Sequence, residues 1–371
     1  CVPSRASFLT GQYPHTHGVK VATAANIPAS HQLPTFPRML RVAGYDTAFI
    51  GKWHVGNTAD PRPGFDFWVS FEGQGVYVDP VFNRDGKVER RKGYTTDLLT
   101  DEAISFIERF RQKPFLVYLS HKAVHAPFVP AERHRNIFAD VRIPRPASEA
   151  DGSKGKPVLA RPGVWMDPAD TDTHTSEQNV RDQLGCLLAV DDGVGRIMAS
   201  LERTGQRRDT IVVFTSDHGY FWGEHGLGGK HGPYEEALRI PLLISHPSRI
   251  RPGLRPSGFA LSIDLAPTLL AAAGVTIPSS IEGRSLLPIL HGQAVSWRTQ
   301  FAAEFFLGTT TDATPRFPDW QAVRDQRWKF VRYPELPGME ELYDLAADPQ
   351  ERTNLATNAK YQDDRRRLVA A

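Results

Sequence analysis

The sequence predicts an α/β protein, with a mixed, mostly parallel sheet between helices and a small C-terminal antiparallel sheet. Three observations predict it. Short apolar runs at 45–50, 115–120, 210–216 and 240–245 read as buried strands. Segments with apolar residues at helical spacing lie between them, at 98–110, 184–201 and 264–273. From about Trp297 the pattern changes to alternation, over 321–333 and again at 341–345, as in a hairpin with an added strand.

Composition narrows the function classes. The 371 residues are 40% hydrophobic and 23% charged, as in an ordinary globular protein. A net charge of +2 argues against a dedicated nucleic-acid binder. No apolar run reaches the roughly 18 residues of a membrane span. The two cysteines, Cys1 and Cys186, cannot build a disulfide framework, and Cys186 sits in an apolar stretch as a structural thiol. The chain has no internal repeat. Its length suits a catalytic region over 1–296 and a smaller α+β unit over 297–371.

In chain order, Pro3 opens a first helix that Thr10 and Gly11 close. His15 and His17 follow in a polar loop and suit local hydrogen bonds or the substrate side. An amphipathic helix over 34–43 ends at Gly44, and the strand at 45–50 places Lys52 and His54 just past its C-terminal end. Open α/β sheets put their chemistry at such strand ends. Residues 60–92 read as a connecting loop with strand-like pieces near Phe67. Leu98, Leu99, Ala103, Phe106, Ile107 and Phe110 share one helical face. The strand at 115–120 then delivers His121, Lys122 and His125.

Residues 140–177 are rich in Pro, Gly and Asp, with Trp165 and His174 isolated inside, and read as a long loop or lid. Asp191 and Asp192 lie on the polar side of the next helix. The cleanest strand, 210–216, ends in Asp217, His218 and Gly219, and a flexible loop carries His225, Lys230 and His231. His225 and His231 are candidates for substrate contacts only. Asp264 stands near the start of a helix that Gly274 closes. On the C-terminal hairpin, Trp328 and Lys329 are either half-buried or within reach of a substrate.

Four motifs fall in a telling order. Cys1 is followed by Pro3, Ser4 and Arg5, with an apolar run to Thr10 and Gly11. Gly51, Lys52 and His54 end one strand, and Asp217, His218 and Gly219 end another. Lys230 precedes Tyr234, Glu235 and Glu236. In this order the chain resembles the formylglycine-dependent (type I) sulfatases of the alkaline phosphatase superfamily. It is nearest in motif to iduronate-2-sulfatase-like and bacterial arylsulfatase-like members. His218 stands where many members carry Asn, as it does in related phosphonate monoester hydrolases.

The resemblance implies an alkaline-phosphatase-like fold and hydrolysis of a sulfate ester of a saccharide or aryl alcohol. Phosphonate monoester or phosphodiester hydrolysis is the alternative. It implies that a formylglycine-generating enzyme oxidises Cys1 to 3-oxoalanine, whose hydrate attacks sulfur with one hydroxyl and expels sulfate with the other. It assigns Cys1, Arg5, Lys52, His54, His125 and Lys230 to catalysis. Cys1, Asp217 and His218 would hold one divalent metal ion, Ca²⁺ foremost, with Mg²⁺ or Mn²⁺ as alternatives, and His218 leaves the identity open because imidazole also suits Mn²⁺ or Zn²⁺. The family's first strand, with two adjacent metal-binding aspartates, is expected upstream of Cys1. A periplasmic or secreted location is implied too.

Overall fold

Five strands form the main sheet of the computed structural model, which describes residues 1–20, 31–109, 113–161, 175–306 and 317–370. They are β1 (Asp46–Gly51), β2 (Phe67–Ser70), β3 (Val81–Arg84), β4 (Lys87–Arg90) and β5 (Phe115–Ser120), in the order β4-β3-β2-β1-β5. β1 runs parallel to both β2 and β5, aligning Phe49 with Trp68 and Tyr118. β3 and β4 add an antiparallel edge.

The period of two along β1 serves two apolar layers. Phe49, with Trp68 beside it, packs on the helices Val2–Thr10, Phe36–Val42 and Leu265–Ala272 through Ala6, Leu9, Leu40 and Leu270. Ala48 and Ile50, with Phe67 and Val69, pack on the helix Thr95–Arg109 through Leu99, Ala103 and Phe106. Each of the larger side chains, the Phe, Leu, Ile and Val residues, contributes about 1.5–3 kcal/mol when removed from water. Because Ala6 and Leu9 are locked in this layer, the first helix holds its N-terminal residue, Cys1, at one end of the sheet.

Residues 60–92 correct the loop expectation, since they hold β2 and a β3–β4 hairpin. The signal was present: Asp85 and Gly86 both have positive φ, 49° and 89°, as a tight hairpin turn requires. The first helix ends as expected, at a left-handed Gly11, and Gly44 likewise has a positive φ after the helix Phe36–Val42.

β6 (Val212–Thr215), β7 (Phe221–Trp222), β8 (Gly228–Gly229) and β9 (Leu242–Ser245) follow. β6 pairs antiparallel with β9, and β7 with β8. Among the described residues β5 pairs only with β1 and β6 only with β9, and the apolar side chains of β6 are half-buried. The ends of β5 and β6 are joined at Arg5, which binds both Ser120 and Asp217.

The C-terminal sheet has the order β10 (Gln300–Phe305), β11 (Trp320–Asp325), β12 (Trp328–Arg332), β13 (Glu341–Asp344), antiparallel throughout. The helix Gln362–Val369 covers one face, with Leu368 against Trp328, Phe330 and Leu342. β10 was not anticipated, because its polar and apolar residues do not alternate cleanly. The described part of the expected lid, up to residue 161, is packed down. Val158 is fully buried among Phe317, Trp320 and Val331, and Lys156 is 1% exposed. Phe110, Trp165 and His174 lie outside the described residues. Cys186 is buried, as expected. Among the described residues no helix is long and apolar enough to cross a membrane.

Candidate active site

Cys1 caps the first helix at the point where β1, β5 and β6 end. Its Sγ lies 3.0 Å from His218 Nε2 and 3.7 Å from Lys52 Nζ. Ligand atoms of Cys1, Asp217 and His218 all lie within 4.8 Å of one another. The spacing arises because β6 delivers Asp217 and His218 past its C-terminal end while the first helix delivers Cys1 at its N-terminus.

This trio fits a divalent ion. His218 Nδ1 lies 2.7 Å from the Gly219 carbonyl oxygen, which can only accept. The ring proton therefore sits on Nδ1, and the Nε2 lone pair faces Cys1 and Asp217, as a metal-ligating imidazole requires. Burial, despite Asp217 beside it, pushes the His218 imidazolium down to about 3. Burial also pushes the Asp217 carboxyl up, but His218, Arg5 and Lys52 together hold it well below the ordinary carboxylate range. A neutral imidazole and an ionised carboxylate are the ligand forms wanted.

Arg5 lies one turn from Cys1, and two of its guanidinium nitrogens are engaged. Nε donates to Asp217 Oδ2 at 2.9 Å, and NH1 donates to the Lys52 carbonyl at 2.7 Å and Ser120 Oγ at 2.6 Å. Arg5 thus braces three strand ends and faces Asp217. Ser4, which a helix-start reading would make a cap, instead donates to the Asp217 carbonyl.

Lys52 is 2% exposed. Burial, with Arg5 and Lys230 nearby, pushes its ammonium down to about 6. The same two causes, burial and neighbouring cations, lower His54 and His125 to about 2, with Lys52 acting on both and Lys230 on His125. Arg5, Lys52 and Lys230 therefore act as one electropositive cluster beside the neutral His54 and His125, with Asp217 the opposing carboxylate. An oxyanion entering it relieves that repulsion.

The supports of His125 were not visible in the sequence. Its Nδ1 lies 2.8 Å from the Ala126 carbonyl, the Tyr77 hydroxyl donates to the His125 carbonyl at 2.9 Å, and Lys122 Nζ reaches Ala126 O at 3.3 Å. Lys122 also lies over the Tyr77 ring. Tyr77 comes from the segment taken for a loop, so no local pattern pointed to it. Gln74 Nε2 lies 3.4 Å from His54 Nε2.

A sulfatase family model matches residues 1–275, nearly three quarters of the chain. The chain belongs to the sulfatase family. It is a sulfuric ester hydrolase of alkaline-phosphatase-like fold. A second model, for the C-terminal part of N-sulphoglucosamine sulphohydrolases, matches residues 223–370. The sulfatase is 33% identical to an N-acetylglucosamine-6-O-sulfatase of Bacteroides thetaiotaomicron, over 99% of this chain and 76% of the relative. A solved structure in complex with its substrate D-glucosamine-2-N,6-O-disulfate superposes with a TM-score of 0.88 at 32% identity, covering 100% and 86% of the two chains. A phosphonate monoester hydrolase of Silicibacter pomeroyi shares the fold, with a TM-score of 0.76 at 25% identity and coverage of 100% and 84%.

Other histidines and lysines of the sulfatase do structural work. His225, expected toward substrate, is 2% exposed, with Nε2 3.3 Å from Glu236 and its ring 4.2 Å from that of Tyr234. His231 packs on Phe305 while its carbonyl accepts from Trp320. His15 pairs with Glu304, and His17 Nε2 lies 3.1 Å from Ser7 Oγ. Asp192 is exposed and paired with Arg133. Lys329, placed near substrate or half-buried by its strand pattern, is instead fully buried in an ion pair with Glu351.

Proposed function

We propose that this sulfatase removes a 6-O-sulfate from glucosamine units of a sulfated saccharide. The observation that carries the proposal is the electropositive cluster of Arg5, Lys52 and Lys230 beside Cys1, together with similarity over nearly the whole chain to sulfatases named for glucosamine 6-sulfates. An exported location, periplasmic or secreted, belongs to the same proposal, since the relatives include extracellular sulfatases.

Cys1, Asp217 and His218 would hold the divalent ion, with Ca²⁺ favoured if further oxygen ligands complete the shell. The ion would lower the pKa of the attacking hydroxyl of an aldehyde hydrate at residue 1, whose second hydroxyl serves sulfate release. Lys230, and Lys52 once the negative charge of the entering sulfate ester has raised its proton affinity, bind and orient the sulfate oxygens and offset the negative charge growing on them. Arg5 keeps Asp217 ionised and in place. His54 is neutral and takes the proton of the second hydroxyl when sulfate leaves. The neutral His125 carries its proton on Nδ1, toward Ala126, so Nε2 must gain a proton before it can protonate the departing alcohol. Lys230 is the other group placed to do so. The negative charge of the bound sulfate ester raises the proton affinity of His125.

We also place the boundary of the catalytic region near residue 296, four residues before β10 begins at Gln300.

The test is a panel on the full-length protein: glucosamine 6-sulfate, N-sulfoglucosamine, an aryl sulfate and a phosphonate monoester. Preferential release of sulfate from the 6-position, by at least tenfold in kcat/KM, is expected. A higher kcat/KM on the phosphonate ester would favour the phosphonate hydrolase reading that the shared fold keeps open.

A further inference from the structure

Building on the sulfatase reading, we propose that the buried Lys329–Glu351 pair, outside the active site, positions His218 and Lys230 for the reaction. Lys329 on β12 and Glu351 in the loop after β13 are both 0% exposed. Lys329 Nζ contacts the Glu351 carboxylate and lies 3.2 Å from Glu235 Oε1. The other Glu351 oxygen accepts the backbone N–H of Glu235 at 2.7 Å. Arg324 Nε lies 3.3 Å from the same Glu235 carboxylate. Lys156 Nζ donates to the Glu351 carbonyl at 2.6 Å, between the rings of Tyr234 and Tyr343.

Glu235 begins a single helical turn, Glu235–Leu238, five residues beyond Lys230. The carbonyls of that turn reach straight to the metal side. Gly219 N–H donates to Ala237 O at 2.8 Å, and Tyr220 N–H donates to Glu236 O at 2.9 Å. A Cβ on Gly219 would fall 1.9 Å from Glu236 O. The two backbones are as close as glycine permits, so no slack separates the turn from Gly219, whose carbonyl in turn orients His218 Nδ1. On the Lys230 side, Trp320 Nε1 donates to the His231 carbonyl at 2.8 Å. The C-terminal sheet therefore holds the segment 231–235 at both ends.

Stability alone is a poor reason for such a pair. Taking two charges out of water costs several kcal/mol per ion, and apolar residues of similar volume often do as well. Burial pushes the Glu351 carboxyl up to about 7 in spite of the facing ammonium. What the pair supplies is direction: a carboxylate aimed at one backbone N–H of the turn. Support of this kind for a metal-binding histidine is typically worth about 10–100-fold in ion affinity or activity.

The experiment compares Glu351→Ala, Glu351→Gln and Lys156→Met with the wild-type enzyme. Thermal melting reports folding, chelator competition reports divalent-ion affinity, and steady-state kinetics on a sulfate ester separate kcat from KM. Glu351→Ala is expected to lower ion affinity and kcat by about 10–100-fold with KM little changed. Glu351→Gln keeps an oxygen for the Glu235 N–H and should recover most of that loss. Folded Glu351→Ala protein with wild-type ion affinity and kcat, showing only a lower melting temperature, overturns the inference. If Glu351→Ala does not fold, Lys156→Met decides. It keeps the apolar stem and removes one bond to Glu351, and kcat should fall several-fold; a wild-type kcat overturns the inference. A wild-type protein that binds no divalent ion and cleaves no sulfate ester would instead overturn the sulfatase reading beneath it.

Discussion

Arg5 Nε donates to Asp217 Oδ2 at 2.9 Å, joining the first helix to a metal-side residue 212 positions away. The pair is well shielded, with side chains 11% and 17% exposed. A guanidinium suits the place because one planar fork serves Asp217, Lys52 O and Ser120 Oγ together. Arg5→Lys should fold but lose about tenfold or more in kcat, as removal of an outer support of a metal site does. Arg5→Ala should also destabilise the ion-free protein by about 3 kcal/mol, since it leaves a buried carboxylate without its partner. Steady-state kinetics and denaturant melts check both, and a lysine variant with wild-type kcat would count against the brace.

Cys1→Ala should abolish turnover without unfolding the chain, because the neighbouring Val2, Ala6 and Leu9, and not Cys1, anchor the helix in the core. Cys1→Ser should retain transfer of one sulfate and then stop, since a serine ester has no second hydroxyl to expel it. Intact-mass analysis after incubation with substrate would show the trapped adduct. Sustained turnover by the serine variant would sink the aldehyde-hydrate mechanism.

Asp217→Asn removes the one carboxylate of the proposed ligand trio. Ion affinity and kcat should fall together by at least tenfold, and a chelator should bring the wild type to the same low rate. Normal rates from chelator-treated, metal-free enzyme would show the assignment of Asp217 and His218 to be wrong.

His121 carries a buried Nδ1 with no hydrogen-bond partner, and burial lowers its imidazolium from 6.5 to about 4. His17 is lowered to about 4 by the same cause. In each, the unfolded chain binds the proton more tightly than the folded one. Their stability contribution is complete above pH 6.5 and is lost as pH falls from 6.5 toward 4. The loss is roughly 1 kcal/mol per pH unit for each histidine at most, since both are partly exposed. Melting temperatures measured between pH 7 and 4.5 should therefore drop, and His121→Gln should flatten the curve. An unchanged slope in that variant would show that His121 takes no part.

Sequence by itself placed the candidate site residues at strand ends, for a local reason. A strand is recognisable from its own apolar run, and the residue after its end lies on the open rim of the sheet. Lys52, His54, His125, Asp217 and His218 could be placed there without tertiary information. The helix bearing Cys1 and Arg5 was legible from Pro3 and Gly11. Even the missed β3–β4 hairpin carried a local mark at Asp85 and Gly86.

Only the tertiary structure decided which groups meet. Tyr77 under His125, Ser4 on the Asp217 carbonyl, and Lys329 with Glu351 join residues whose local patterns show no such preference. Lys329 illustrates the reason. Alternation marks it as one side of a strand, but whether that side faces water, substrate or a buried carboxylate depends on what packs there. Here that is Glu351 on one side and Glu235 on the other, 22 and 94 residues away in the chain. A charge can be buried only where the rest of the fold brings its partner, and a one-dimensional pattern carries no record of that encounter.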